Sequence, residues 1–469
     1  MTDLVQLDLT GLAQAIAGGK VSAVEVARFT AERAERLQPK LACFISNDFD
    51  RALDAAKAAD AAQARGETLG PLHGIPVAHK DMYYRAGHIC TGGSKIRASF
   101  RPDHTATVLE RLDAAGAIEI GALNMAEFAT YPTGHNAHYG DCRNPWDTGR
   151  TTGGSSSGSG AAVAARLAWG SLGSDTGGSV RIPAGFCGVS GLKPTNSRVS
   201  RHGMMPLSHS LDHVGPLAPS VRDIARLMKV IAGADTRDPT ASDLPIPDYE
   251  AGLEMGVKGL EVGVLRRYFY DGASPEITAA VDATAETLRE LGAEIIEVDM
   301  AEAELCATYA YFAIFTEWTS VHLPWIRTRL ADYGLPARNR VQRGLAVPAA
   351  RYYEAVSQRG RLLAQVLDTS FASVDLLLAP TTVALPPTLE ESDETRGDCG
   401  ALMGRIARNT RIFNYLGLPA LNVPCGFSES GLPIGAQLVG KPFAEARVLR
   451  AGHAFQQVTD WHRRLPPTV

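Results

Sequence analysis

Between Thr152 and Pro194 the chain reads TGGSSSGSGAAVAARLAWGSLGSDTGGSVRIPAGFCGVSGLKP, and no other stretch restricts the fold as tightly. Two Gly/Ser-rich turns, 153–160 and 173–179, flank an alanine-rich segment whose pattern predicts a buried helix running on into a strand. Glycine inside an element is costly, because it loses the most backbone entropy on folding. A flexible linker does not account for it, since linkers are polar throughout and these turns sit among Ala, Val and Leu. The pattern calls for a backbone drawn close to a ligand, with amide N–H groups and serine hydroxyls gathered at one place. It is not a phosphate loop: G-x-x-x-x-G-K-[ST] is missing, and no G-x-G-x-x-G opens a helix with an acid downstream.

The chain has 469 residues, 45% of them hydrophobic and 21% charged, enough to bury a sizeable core. Neither a low-complexity linker nor a repeat divides it, so one large α/β domain over 1–469 is expected. A net charge of -5, from 46 basic and 51 acidic residues, gives no basic footprint for nucleic acid and no attraction to anionic membranes. The first residues, MTDLVQLDLT, carry acids where a signal peptide needs a basic region, and no apolar run approaches the roughly 18 residues of a spanning helix. Seven scattered cysteines without a C-x-x-C pair read as reduced thiols. A cytoplasmic enzyme is the expectation.

Along the chain, Ser22 with Glu25 forms a capping-box pattern for a helix that Pro39 is expected to end. A further helix is predicted over 50–65. Ile75 to Ala78 reads as a buried strand that delivers His79, Lys80 and Asp81 at its C-terminal end, where ligands bind in open α/β sheets. Lysine is seldom buried unless paired or functional, so Lys80 is either solvated or a working residue. A helix over 105–115 and a strand over 117–121 follow. The loop 130–145 holds His135, His138, Asp141 and Cys142, whose spacing matches no zinc signature and reads as loop polar contacts, with no metal expected. Residues 198–200 are strand-like, 205–219 turn-rich, and Ser220 with Asp223 opens another helix. Strands at 262–265, 295–298, 376–379, 421–424 and 436–439, with helices at 275–291 and 444–457, complete the α/β pattern. The helical stretch 304–345 is rich in aromatics, most of them core.

A serine-rich, N–H-rich site needs a base. No histidine is visibly placed for it, and Ser–Lys arrangements do the same work with a lysine held neutral by desolvation. Lys80 is the candidate. GGSSSGSGAAVAA, GSDTGGSVRIPAGFCGVSGLKP and GIPVAHKD, in this order and spacing, together resemble the amidase signature family; NMAEF, RNPWD and GLPALNVPCGF extend the likeness over nearly the whole chain. The resemblance implies a mixed, mostly buried β-sheet covered by helices on both faces, with the catalytic core at about 70–220. It implies Ser179 as nucleophile, Lys80 as base and Ser155 as relay, with a cis peptide bond at Gly154–Ser155. The oxyanion would lie against the N–H groups of Thr176, Gly177, Gly178 and Ser179. Asp175 and Arg181 suit a structural ion pair, and Ser156 and Ser157 supporting hydrogen bonds. By position, the acyl pocket is expected from the 125–135 loop with Met125 and Tyr131, and from helices at about 300–345 and 400–417.

The expected function is an amidase acting on a carboxamide, anilide or carbamate, with no cofactor. Its expected partners are a small-molecule amide and water, with no nucleic acid and no membrane; a homodimer is left open. One rival is the glutamine-hydrolysing A subunit of a tRNA-dependent amidotransferase. That protein usually has Gln where this chain has Ile182, and an acid shortly before the GLP motif, whereas Leu402 to Leu416 holds no Asp or Glu. A catalytically silent scaffold is the other, opposed by the intact Lys80, Ser155 and Ser179. Arg405, Arg408 and Arg411 lie in the 402–416 segment, as a solvated helix face or as a subsite for a negatively charged substrate group.

Overall fold

A single mixed sheet runs through the whole molecule in a computed structural model that describes residues 3–468. Its strands are β1 (Phe44–Asn47), β2 (Pro76–Lys80), β3 (Ile118–Leu123), β4 (Gly170–Asp175), β5 (Ser190–Lys193), β6 (His213–Ala218), β7 (Glu261–Leu265), β8 (Glu294–Val298), β9 (Leu376–Pro380), β10 (Ala420–Phe427) and β11 (Pro433–Gly440). They lie in the order β1-β3-β2-β4-β6-β5-β10-β11-β9-β7-β8. Every residue of β2, β4, β5, β6, β9 and β11 is buried. Because side chains alternate between the two faces of a strand, burial at every position means that both faces are covered.

Two parallel neighbours matter most. β2 pairs with β4 through Val77–Gly170, Ala78–Ser171 and His79–Leu172, so both strands end at the same edge. Lys80 and the 174–179 turn therefore emerge side by side. The helix Ser157–Ala164 follows the first turn and packs against β4 and the helix Arg181–Cys187. A Cβ on Gly154 would lie 2.0 Å from the carbonyl oxygen of Thr133, which is why this turn cannot carry a side chain there.

Local signals act largely as expected. The Ser22–Glu25 capping box is formed in both directions, with Glu25 N–H donating to Ser22 Oγ (3.1 Å) and Ser22 N–H to Glu25 Oε2 (2.7 Å). Such a cap contributes about 1 kcal/mol. Pro39 does not end that helix, which spans Ala23–Leu41; it sits in the last turn, and Ala42, left-handed at φ 49°, closes the helix with its N–H on Gln38 O. The 205–219 stretch holds β6, a central strand with the sequence HVGPLA. Residues 198–200 form only an isolated bridge, Val199 with Ala232.

Candidate active site

The side chain of Lys80 is fully buried at the end of β2, with Nζ 2.7 Å from Ser155 Oγ and 2.8 Å from Ser174 Oγ. No carboxylate forms an ion pair with it among the described residues. Burial pushes its pKa down to about 7, and Asp212 and Asp175 offset only part of that shift. A lysine whose burial favours the free amine is what a general base requires. The other fully buried lysine among the described residues, Lys193, donates to Pro194 O (2.9 Å) and reaches no serine hydroxyl. His213 is buried nearby, but its Nδ1 faces the carbonyls of Asp175 and Leu211. No histidine hydrogen-bonds Ser155, Ser174 or Ser179 among the described residues.

The two glycine turns meet edge to edge. Ser156 N–H donates to Ser179 O (3.3 Å), and the peptide bond Gly154–Ser155 is cis. Ser156 Oγ bonds the backbone of Ser174 as acceptor and as donor, both at 3.2 Å, and Ser157 Oγ donates to Asn124 O. Ser179 is half-buried and lines a cavity of about 140 Å³; its hydroxyl has no hydrogen-bond partner among the described residues. Around it, the N–H groups of Thr176, Gly177 and Ser179 donate to no acceptor among the described residues. The N–H of Gly178 differs: it donates to Asp175 Oδ1 at 2.7 Å and is already committed. Gly178 itself has φ 131°, and a Cβ there would lie 2.2 Å from Thr410 Oγ1.

Asp175 and Arg181 form a buried ion pair, Nε to Oδ2 at 3.0 Å. Burial alone would raise the Asp175 pKa, but the Arg181 guanidinium, Lys193 and the Asn414 amide outweigh it and hold the carboxyl well below the usual range. Sequence reasoning missed Ser174 and Asp212. The Asp212 carboxylate accepts from Thr176 Oγ1 (2.5 Å) and from the N–H groups of Leu207 and Ser208, fixing the far side of the turn. Burial raises its pKa despite these bonds. Only strand register brings either residue into place, and one sequence does not carry that.

The cavity wall comes from the 129–132 loop and from helices in 311–343 and 400–411. Tyr131 is in it; Met125 is not, lying in the core beneath the loop with its carbonyl bonded to Asn136. Among the three arginines of 405–411, Arg411 alone lines the cavity. Arg405 donates to Gly272 O, and Arg408 pairs with Asp271 while stacking on Tyr268. Arg340 and Arg343, which the sequence did not single out, also line it. Arg340 stacks 4.0 Å over the Tyr131 ring and pairs with Glu394, and the Tyr131 hydroxyl is buried without a partner. His135 pairs with Asp141 and His138 with Glu127, while Cys142 lies in the core.

A family model described as Amidase matches residues 25–449. The chain belongs to the amidase family. The A subunit of the glutamyl-tRNA(Gln) amidotransferase of Chloroflexus aggregans is 42% identical to this amidase-family chain, over 99% of each sequence. Among solved structures, one from work on a vestigial protein complex and the evolutionary origins of an s-triazine catabolic enzyme has a TM-score of 0.91 at 38% identity. It covers 96% of this chain and 98% of the other. A 6-aminohexanoate cyclic dimer hydrolase has a TM-score of 0.90 at 28% identity, over 100% of both chains.

These relatives overturn the expectation about partners, that of a small-molecule amide alone with no nucleic acid. The curated relatives are named as parts of an amidotransferase of glutamyl-tRNA(Gln), a multi-subunit enzyme with an RNA in its name. Net charge could not have shown this, because it is a sum over the whole surface and says nothing about assembly with other chains. No helix among the described residues is long and apolar enough to cross a membrane.

Proposed function

We propose that this chain hydrolyses a carboxamide through an acyl-enzyme on Ser179, with Lys80 as base and Ser155 as relay. The observation that carries the reading is a buried lysine amine poised near neutrality 2.7 Å from Ser155, at the edge of a cavity lined by Ser179. The Lys80 lone pair takes the proton of Ser155, which takes that of Ser179, whose Oγ attacks the amide carbon. The oxyanion is received by the N–H groups of Thr176, Gly177 and Ser179. One such donor is worth about 3 to 4 kcal/mol at the transition state. As the C–N bond breaks, the leaving nitrogen regains the proton through Ser155. Water, deprotonated along the same relay, then releases the acid and restores the serine. The seven unpaired thiols support a reducing, cytoplasmic setting.

The substrate reading divides. The names of the relatives favour glutamine amide, hydrolysed by one chain of a larger assembly, more strongly than a general amidase. The cavity favours an amide that carries an acidic group and no ammonium. Arg343 and Arg411 have no carboxylate partner among the described residues, and the cavity lining contains no Asp or Glu to hold an α-ammonium. Uncompensated guanidinium groups in a partly closed site are strong recognisers of carboxylates.

Ammonia release from glutamine and from glutaramate, the same molecule without its amino group, separates these readings. Glutaramate is expected to be turned over at least about tenfold faster in kcat/KM, the cost of one unpaired buried charge. Arg411→Ala should raise its KM, and Ser179→Ala should be inert. Turnover of glutamine alone, and only with companion chains added, establishes the glutamine reading and overturns the glutaramate one.

The tight turn gives another test. Gly178→Ala forces a side chain into Thr410 and into a left-handed backbone, moving the oxyanion donors. Labelling of Ser179 by a fluorophosphonate is expected to slow by about 100-fold or more. Labelling at the parent rate would mean that the turn does not receive the oxyanion.

A further inference from the structure

We propose that Ser174 is a positioning residue for the base: it accepts one N–H of the Lys80 amine and thereby aims the lone pair at Ser155. This rests on the Ser–Lys reading above. A neutral amine has two N–H donors and one lone pair. Ser155 and Ser174 are the two side chains within hydrogen-bond distance of Lys80 Nζ, at 2.7 and 2.8 Å. If the lone pair is to face Ser155, an N–H must be taken elsewhere, and Ser174 Oγ is the acceptor in reach.

Ser174 is held for this task. It lies in β4, its backbone pairs with Val214 in β6, and its N–H and carbonyl are both bonded to Ser156 Oγ. Its position is therefore set by the strand that leads into the nucleophile turn and by the turn that carries the relay. The hydroxyl donates to no acceptor among the described residues, so its oxygen is free to accept from Lys80. The charged groups that face the amine are Asp212 and Asp175, neither of them in contact with it. Ser174 is absent from the cavity lining, so its effect should fall on kcat and not on substrate binding.

The test uses Ser174→Ala, with Ser174→Thr restoring a hydroxyl, on the full chain. Readouts are fluorophosphonate labelling of Ser179 and the pH dependence of kcat and KM from pH 5 to 10. Ser174→Ala is expected to slow labelling and kcat by about tenfold at unchanged KM. It should also move the acidic limb to lower pH by about half a unit to one unit, because the lost acceptor favoured the ammonium form. Ser174→Thr should recover most of both. Ser174→Cys, close in volume and a poor acceptor, gives the same reading should the alanine variant misfold. Unchanged labelling with an unchanged limb overturns the proposal. So does faster labelling, which would mean that the Ser174 hydroxyl donates into the lone pair and competes with Ser155. Lys80→Ala is the control for the parent reading: if it labels at the parent rate, the lysine is not the base at all, whatever Ser174 does.

Discussion

Lys80→Met is expected to lose about 10⁴-fold or more in kcat/KM, as removal of a member of a serine triad does, and to be more stable than the parent at neutral pH. The two effects share one cause. Burial holds the amine near pKa 7, whereas an unfolded lysine titrates near about 10.4. The unfolded chain thus binds a proton that the folded chain holds poorly. Below pH 7 both states are protonated and the penalty is at its full value. It declines as pH rises from 7 toward the unfolded value and vanishes above it. At pH 7 it amounts to roughly 4 kcal/mol, part of which methionine forfeits by leaving Ser155 and Ser174 without their partner. A net gain of about 1 to 3 kcal/mol at pH 7 is expected from urea midpoints, narrowing by pH 9.5. Activity of the parent should rise through an apparent pKa near 7, since only the free amine accepts a proton. A variant less stable at pH 7, with a gap independent of pH, would mean that Lys80 is charged in the folded state.

Much of this site was legible because its parts are local. The apolar run before Lys80 announced a strand ending in a lysine, and glycines among alanines announced close backbone approach rather than a linker. The α/β character, the large sheet and the family followed from long motifs. What escaped depended on register or on distant chain. β6 was missed because HVGPLA carries Gly and Pro, which ordinarily break a central strand; here Pro216 faces Leu172 and Gly215 faces Gly173. Ser174 is next to Asp175 in sequence, yet its bond to Lys80 exists only because β2 and β4 are neighbours. Arg340 and Arg343 enter the cavity from a helix more than a hundred residues past Ser179, and nothing in their local pattern separates them from solvated arginines. The Arg405–Arg411 row shows the same limit: spacing grouped three arginines, and packing sent one of them to the cavity.

Asp175→Asn is expected to destabilise the protein by about 3 to 5 kcal/mol, among the largest effects of any conservative substitution here. The carboxylate accepts from Gly178 N–H, Val180 N–H, Asn414 Nδ2 and the Arg181 guanidinium at once. Arg181 in turn reaches Thr410 O, Asn414 Oδ1 and Gln437 Oε1. One carboxylate thus ties β4, the 176–179 turn, the following helix and the 410–414 segment together. The amide can neither accept on both sides nor balance the guanidinium, and it leaves a bare charge fully out of water. Pairing the change with Arg181→Met removes that charge, so the double variant should recover much of the stability in chemical denaturation. Ser179 labelling should not recover, because the amide turns an N–H donor toward either Gly178 N–H or Val180 N–H, and the 176–179 turn loses one of its two anchors on this side chain. Recovery of both together would show the pair to be a stability element with no hold on the turn. Recovery of stability alone is the expected result, and it would separate the charge balance, which any well-packed core could replace, from the geometry, which needs an acceptor at both oxygens of this side chain.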